Sequence, residues 1–180
     1  YSNDITRKGF NDGLESNEDI IPRSQAQMII QQYMMQKNEE MAADEAVVSE
    51  ENLIEGQEFL ASNKEREEVN VTGSGLQYEV IEEGSGPQPS ETDTVVVHYT
   101  GSLIDGTEFQ STEETGEPAT FLVTNVIPGW TEALLMMKEG AKWKVYIPSE
   151  LAYGSQKRSE DILPNSTLIF DIELVDVKGK

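Results

Sequence analysis

The residues able to do chemistry in this chain are few. It has no cysteine and a single histidine, His98. Thiolate and disulfide chemistry are therefore excluded, and a Ser/His/Asp triad or a histidine-bearing metal site has to be built around that one ring. His98 lies within VVVHYTGSLIDGTEFQST, residues 95–112. Successive strand side chains face opposite ways, so His98 points away from whatever Tyr99 faces and reads as structural or surface. Glu113, Glu114 and Glu117 gather in the next loop without the further ligands a hard cation needs, and read as a solvated loop with no metal. What is left in the stretch is aromatic and polar: Tyr99 and Phe109, with the neutral amide Gln110 directly after Phe109. Aromatics on strands ordinarily fill cores, and Phe121, Trp143 and Leu168 are assigned there. Hydrolytic schemes are hard to assemble from such an inventory.

Charge narrows the partners. At 180 residues the chain suits one domain with an accessory segment, or two small domains, and 37% apolar content can build a core. There are 13 basic and 34 acidic residues, a formal net charge of −21. Divided at Thr72, the two parts carry 6 basic with 16 acidic and 7 basic with 18 acidic residues, so the acidity is a general surface property. Such a surface repels phosphate backbones and anionic lipid, which argues against nucleic acid and membrane insertion; solubility, or a taste for basic partners, is the simpler reading. No apolar run approaches membrane-spanning length. A start at Tyr1 without methionine or a signal-like segment predicts a mature or trimmed product.

The elements that must position these residues divide near Thr72. Asp4–Leu14 predicts a short helix and Asn17–Pro22 a loop. Ser24, with Gln27 three residues on and Pro22 upstream, has the form of a capping box. From there Ala26, Ile29, Ile30, Tyr33 and Met34 recur with the helical period. Strong helix formers run on to about Lys64, with Gly56 the only breaker, a rod of about 60 Å at about 1.5 Å per residue. A compact neighbour cannot cover such a rod along its whole length. Met28, Met34, Met35 and Met41 crowd its first part and favour self-association over a local helical hairpin.

Beyond it, NVTGSG (70–75) reads as a turn or linker. Strands are predicted at Leu76–Glu82, Thr94–Thr100, Ser102–Ile104, Thr107–Phe109, Thr120–Val123, Trp143–Ile147 and Leu168–Val175. Asp105-Gly106 marks a hairpin, and PGWTEALLMM (128–137) a short apolar helix closed by Gly140. Many antiparallel strands and one apolar helix imply an α+β domain, with residues 1–72 helical and 73–180 the folded sheet domain.

The motifs HYTG (98–101), LxDGxxF (103–109), VIPGW (126–130), LAYG (151–154) and LPNSTLIFDIEL (163–174) occur in the order and spacing of the FKBP-type peptidyl-prolyl cis-trans isomerases. The resemblance runs from roughly Gly75 to Lys178. GSGLQYEVIEEGSG (73–86) behind a long charged helix is similar to the macrophage infectivity potentiator branch. The resemblance implies an FKBP-like twisted antiparallel sheet wrapped on one short helix, preceded by an all-α segment with one long linking helix. It implies isomerisation of X-Pro bonds in unfolded or flexible protein segments, with no cofactor and no metal. It implies homodimerisation through the N-terminal helices, macrolide immunosuppressants as possible inhibitors, and a periplasmic or envelope location, with the cytoplasm as alternative.

By the same resemblance the catalytic positions are Tyr99, Phe109, Gln110, Trp130, Tyr153 and Phe170, and the substrate-binding positions Val126, Ile127, Ile162 and Leu163. Trp130 would be the floor, Tyr99, Phe109 and Phe170 the walls, and the Ile127 N–H and Tyr153 hydroxyl the donors to substrate carbonyls. Two departures stand out. Gln110 occupies a place where the family usually has aspartate, and predicts lower activity or macrolide affinity. The loop SQKRSEDIL (155–163) is charged at Lys157, Arg158, Glu160 and Asp161 where relatives are often glycine-rich, and predicts altered client preference. A dimeric chaperone that holds proline segments with weak isomerase activity is the alternative function; a purely structural acidic protein is a third.

Overall fold

A computed structural model describes residues 23–113 and 116–179. The predicted helix at Asp4–Leu14, its following loop and Glu114 lie outside the described residues. Contacts divide the chain into two compact units at Glu45/Ala46, and one helix, α1 (Arg23–Asn63, 41 residues), runs through the division. Its start lies one residue ahead of the predicted cap Ser24, within the ordinary ambiguity of helix ends.

In the first unit Met28, Ile29, Ile30, Tyr33, Met34, Met35 and Met41 are all exposed. At 3.6 residues per turn, Met28 and Met35 lie off the arc shared by Ile29, Ile30, Tyr33 and Met34, so the apolar surface is wider than a single stripe. Among the described residues no helix is long and apolar enough to cross a membrane.

The second unit holds one sheet of seven strands: β1 (Val69–Val71), β2 (Gln77–Glu82), β3 (Thr94–Leu103), β4 (Glu108–Ser111), β5 (Ala119–Leu122), β6 (Lys142–Ile147) and β7 (Leu168–Lys178). Their order is β1-β2-β6-β7-β3-β4, with β5 also on β3, and each pairing is antiparallel. The β3–β7 ladder runs from Thr94–Lys178 to Leu103–Leu168, with a bulge between Val96 and Val97. Such a bulge sharpens the local twist. Helix α2 (Pro128–Met136) opens on Pro at its first position, where the missing N–H is harmless. Its Trp130, Ala133 and Leu134 are buried against Val95, Val97, Val145, Ile147, Leu168 and Ile172 of the sheet. This is the α+β architecture of a sheet packed on one short helix.

Three local expectations are corrected. NVTGSG is not a linker: Val69–Val71 pair with Gln77–Glu79, and the turn closes with Thr72 N–H on the Leu76 carbonyl at 2.9 Å. Ser102 and Leu103 are not a separate strand but the end of β3, because β7 pairs with them without a break. The Asp105-Gly106 turn is also longer than a two-residue hairpin. Leu103 N–H donates to the Thr107 carbonyl (2.9 Å), Gly106 N–H donates back to the Leu103 carbonyl (3.0 Å), and only Gly106 takes a positive φ of 88°. That is a turn finished by a left-handed glycine, and Asp105 Oδ1 steadies it by accepting from Thr107 N–H at 2.8 Å.

Gly56 does not break α1. A Cβ there would collide with the side chain of Thr167, so glycine lets the helix approach the sheet domain. Around it, Asn52 Nδ2 donates to the Pro164 carbonyl (2.9 Å) and Asn165 Nδ2 to Ser49 Oγ (2.8 Å). The helix end is held by a polar cluster: Asn63 Nδ2 donates to Gln77 Oε1 (3.0 Å), and Arg66 Nη1 meets Glu79 Oε1 at 2.8 Å. The Tyr146 hydroxyl donates to Glu79 and accepts from Arg66, and Phe59 packs 5.9 Å from the Tyr146 ring.

Burial, then the bond to Glu79, pushes the Tyr146 hydroxyl up to about 12 from an ordinary 10, against the opposing pull of Arg66. The fold therefore favours the protonated phenol. Its contribution is complete below pH 10 and is lost as pH rises toward 12. Urea unfolding of the protein and of Tyr146→Phe through that window should show the steeper loss in the protein itself; equal slopes would clear Tyr146 of the role.

Candidate functional site

Trp130 is reached by three rings, each nearly perpendicular to it. Tyr99 of β3 stands 5.0 Å away at 90°, Phe170 of β7 5.2 Å at 88°, and Phe121 of β5 5.7 Å at 84°. Edge-to-face contacts set the positive ring edge on the negative face and fix orientation as well as distance. Phe109 of β4 adds a fourth ring, 5.7 Å and 85° from Phe170. Above Trp130 these rings enclose a cavity of about 600 Å³. Val126 and Ile127 line it from the segment entering α2, Tyr153 and Ile162 from the β6–β7 connection, and Gln110 from the outer edge of β4.

Glycine makes the wall possible. A Cβ on Gly101 would stand 2.7 Å from Phe109 Cε2 and 2.7 Å from Phe170 Cε1, so only a residue without one lets both rings cross β3. Gly129 does the same under Trp130, where a Cβ would collide with Ile147. Tyr99 is set by its backbone: its N–H donates to Thr112 Oγ1 (2.9 Å), and its carbonyl accepts from Thr112 N–H (2.9 Å). His98 faces away from the cavity, with Nδ1 3.2 Å from the same Thr112 Oγ1.

The connection from β6 to β7 overhangs the site. Gly154 takes a φ of 58° directly after Tyr153, and its carbonyl accepts from Asn165 N–H at 2.8 Å, closing the base of the loop. At the tip, Arg158 N–H donates to the Ile162 carbonyl (2.9 Å) and Ile162 N–H to Ser159 Oγ (3.0 Å). These bonds turn Ile162 inward, where it is only 6% exposed. Leu163, predicted beside it, does not line the cavity. The chain turns there, and the Leu163 carbonyl accepts from Ser166 Oγ at 2.8 Å.

The other nine predicted positions are gathered around one cavity. Four lining residues were not predicted. Phe121, assigned to the core, packs against it half-buried and also forms a wall of the cavity, 5.7 Å from the Trp130 ring. Asn125, Arg158 and Ser159 also face the cavity from loops, where periodicity carries no signal. Arg158 lies over the Tyr153 ring, its guanidinium carbon 5.5 Å from the centroid.

Arg158 apart, no side chain among the described residues lining the cavity is a charged one. Burial first, and the neighbouring Tyr153 second, hold the Tyr99 phenol above its ordinary value, so it stays protonated. Trp130 Nε1 is buried and has no hydrogen-bond partner among the described residues. Ile127 gives its carbonyl to Trp130 and Thr131 N–H (2.9 and 3.1 Å), while among the described residues its own N–H has no protein acceptor. Among the described residues no group of three or more His, Asp or Glu is placed to hold a metal ion. The arrangement can surround an apolar ring and offer a few donors at its rim.

The family described as FKBP-type peptidyl-prolyl cis-trans isomerase matches residues 86–175, and the family described as the domain amino terminal to it matches residues 1–80. The chain is 44% identical over 175 residues to the Outer membrane protein MIP of Legionella longbeachae, covering 97% of this chain and 75% of that protein. It is 44% identical over 176 residues to FkpA of Aeromonas hydrophila, covering 98% of this chain and 65% of the relative. The crystal structure of FkpA from Escherichia coli superposes with a TM-score of 0.83 at 37% identity, over 99% of this chain and 83% of that one.

Gly101→Ala tests the wall. The added methyl must displace Phe109 or Phe170, an overpacking strain of about 1–3 kcal/mol. Urea unfolding should record that loss, and the near-ultraviolet circular dichroism of the aromatic cluster should weaken. An unchanged spectrum and midpoint would mean the rings do not depend on that clearance.

Proposed function

The chain belongs to the FKBP-type peptidyl-prolyl cis-trans isomerases, and from that premise we propose that the cavity over Trp130 is where it turns X-Pro bonds. The observation that carries this reading is the set of perpendicular rings around Trp130. An X-Pro bond differs little in energy between cis and trans but is separated by a barrier of about 18–20 kcal/mol. At the top of that barrier the amide is twisted, has lost resonance and is less dipolar than in either planar state. An apolar, dry surrounding therefore stabilises the twisted form relative to the planar ones, with no covalent chemistry required.

Roles follow from position. Trp130 is the floor on which the proline ring sits, and Tyr99, Phe109, Phe121 and Phe170 are the walls that exclude water. The Ile127 N–H and the Tyr153 hydroxyl donate to the carbonyls flanking the proline and hold one end of the amide while the other rotates. Val126 and Ile162 close the sides. Gln110 stands at the rim as a neutral amide able to donate or accept, in place of a charged acceptor. The same apolar volume suits macrolide immunosuppressants as inhibitors.

Helix α1 extends the reading. Residues 1–72 are proposed as a dimerisation and linker segment and 73–180 as the isomerase domain. Exposed methionines, isoleucines and Tyr33 on the first part of α1 support a homodimer, since such surfaces ordinarily meet a partner. Two cavities on one dimer would suit capture of unfolded client segments. A periplasmic or envelope location goes with this proposal, supported by a relative whose name places it at the outer membrane.

Proline-peptide isomerisation tests the cavity. Tyr153→Phe should lower kcat/KM by a few-fold to about tenfold, the worth of one hydrogen bond, and Trp130→Leu should lower it further. A full rate in Trp130→Leu would place the reaction elsewhere. Suppression of aggregation with no isomerase rate in the parent chain would favour the chaperone reading. Gln110→Asp should raise the rate or the macrolide affinity, and no change in either would remove Gln110 from the account. Sedimentation should find the full chain dimeric and a fragment starting at Ala46, which keeps β1 and the anchored end of α1, monomeric; a monomeric full chain defeats the dimer.

A further inference from the structure

We propose that Arg158 makes this cavity select proline segments that carry a carboxylate within two residues of the proline. The inference rests on the reading of the cavity as the proline site and names the class of segment it prefers.

Charge is distributed unusually around the mouth. The chain carries a formal −21, yet Arg158 is the one charged side chain among the described residues lining the cavity. Gln110, on the β4 side, contributes no charge to oppose it. On the loop itself Lys157 pairs with Glu160 at 3.6 Å, which takes up one cation and one carboxylate. Among the described residues no carboxylate pairs with the Arg158 guanidinium within 4.0 Å. The acidic chain thus presents a single uncompensated cation at its binding cavity.

Arg158 is also held in place. Its N–H is fixed on the Ile162 carbonyl at 2.9 Å, and its guanidinium carbon lies 5.5 Å from the centre of the Tyr153 ring. Stacking over an aromatic face restrains the planar fork while leaving its edge free to bond, and that edge matches a carboxylate with two parallel hydrogen bonds. A proline ring on Trp130 places neighbouring residues along the rim. Two residues of extended chain span about 7 Å, which brings a glutamate or aspartate next to the proline within reach of the fork.

Exposure limits the size of the effect. Arg158 is open to solvent, so its preference is that of a surface charge pair improved by geometry, about three- to tenfold in kcat/KM. The distant negative surface opposes acidic segments, but it is screened beyond about 8 Å at physiological salt. It acts equally on any variant at position 158.

Peptides Ala-Xaa-Pro-Phe, acetylated and amidated so that no terminal charge lies near the proline, measure the preference with Xaa glutamate or its neutral isostere glutamine, with Xaa leucine as a reference and Ala-Leu-Pro-Glu against Ala-Leu-Pro-Gln probing the other side. The protein is compared with Arg158→Gln, Arg158→Lys and Arg158→Glu at low salt and in 0.5 M NaCl. The expected result is a three- to tenfold glutamate-over-glutamine ratio in kcat/KM from one side or the other. It should be lost in Arg158→Gln, partly restored in Arg158→Lys, inverted in Arg158→Glu and reduced by salt. A ratio identical in the protein and Arg158→Gln overturns the proposal, whatever happens to the absolute rates. If no peptide is turned over, leucine included, the reading of the cavity fails instead.

Discussion

The edge-to-face contact of Trp130 with Tyr99, Phe121 and Phe170 is the constraint on which the site depends. Three strands must deliver one ring each to the first turn of α2, and small displacements of any strand would break the perpendicular geometry. The sheet therefore needs β3 as its hub. It pairs with β7 along its whole length and with β4 and β5 on its other edge, so three aromatic-bearing strands are registered against one backbone. Gly101 and Gly129 remove the side chains that would stand where rings and helix approach. Close-packed interiors tolerate little change in volume, and these two positions have no slack.

The same contacts keep the cavity open. Rings that could rotate freely would collapse over Trp130 and fill the volume they enclose. Here the ring edges are held by one another and the backbone beneath Tyr99 is held by Thr112. The overhanging loop is tied at its base by Asn165 and Gly154. Asn165 also reaches Ser49 of α1, and Asn52 reaches the Pro164 carbonyl, so the second half of the helix secures the chain that carries Ile162. The helix thus has a part in the isomerase unit itself. Its end is anchored in the Asn63, Arg66, Gln77, Glu79 and Tyr146 cluster, where a buried carboxylate and phenol satisfy each other.

Legibility in the sequence followed the strength of each physical signal. The long helix was readable because its formers run unbroken, and the short one because Pro-Gly-Trp opens a dense apolar segment. Strand alternation located β2, β6 and β7 closely. β1 was missed because three residues cannot show a period, and the end of β3 was split off because register with β7 is a long-range property. Gly56 looked like a breaker, since the contact that requires it lies more than a hundred residues away at Thr167. In the site, motif order gathered nine residues that the structure sets around one cavity, without itself fixing their roles. Phe121 escaped because an aromatic on a short strand looks the same whether it faces core or cavity. Arg158 was legible only as one of four loop charges, because a charged loop has no period to say which of them faces the cavity.

A cavity with an uncharged aromatic floor and walls inside a strongly acidic molecule is a consistent design rather than a contradiction. Twisting an amide requires low polarity at the bond itself, which rules charge out of the floor and walls. Charge at the rim does not disturb that condition, because it acts on the residues flanking the bond and is equal for the planar and twisted forms. Rim charges therefore alter which segments enter, while the rings alter how fast the bond turns. Arg158 is placed to do the first, since it is exposed to solvent and lies over Tyr153. Gln110, neutral and on the β4 edge, leaves the field of that cation unopposed. Selection is thereby concentrated at the mouth, where short range and fixed geometry act together.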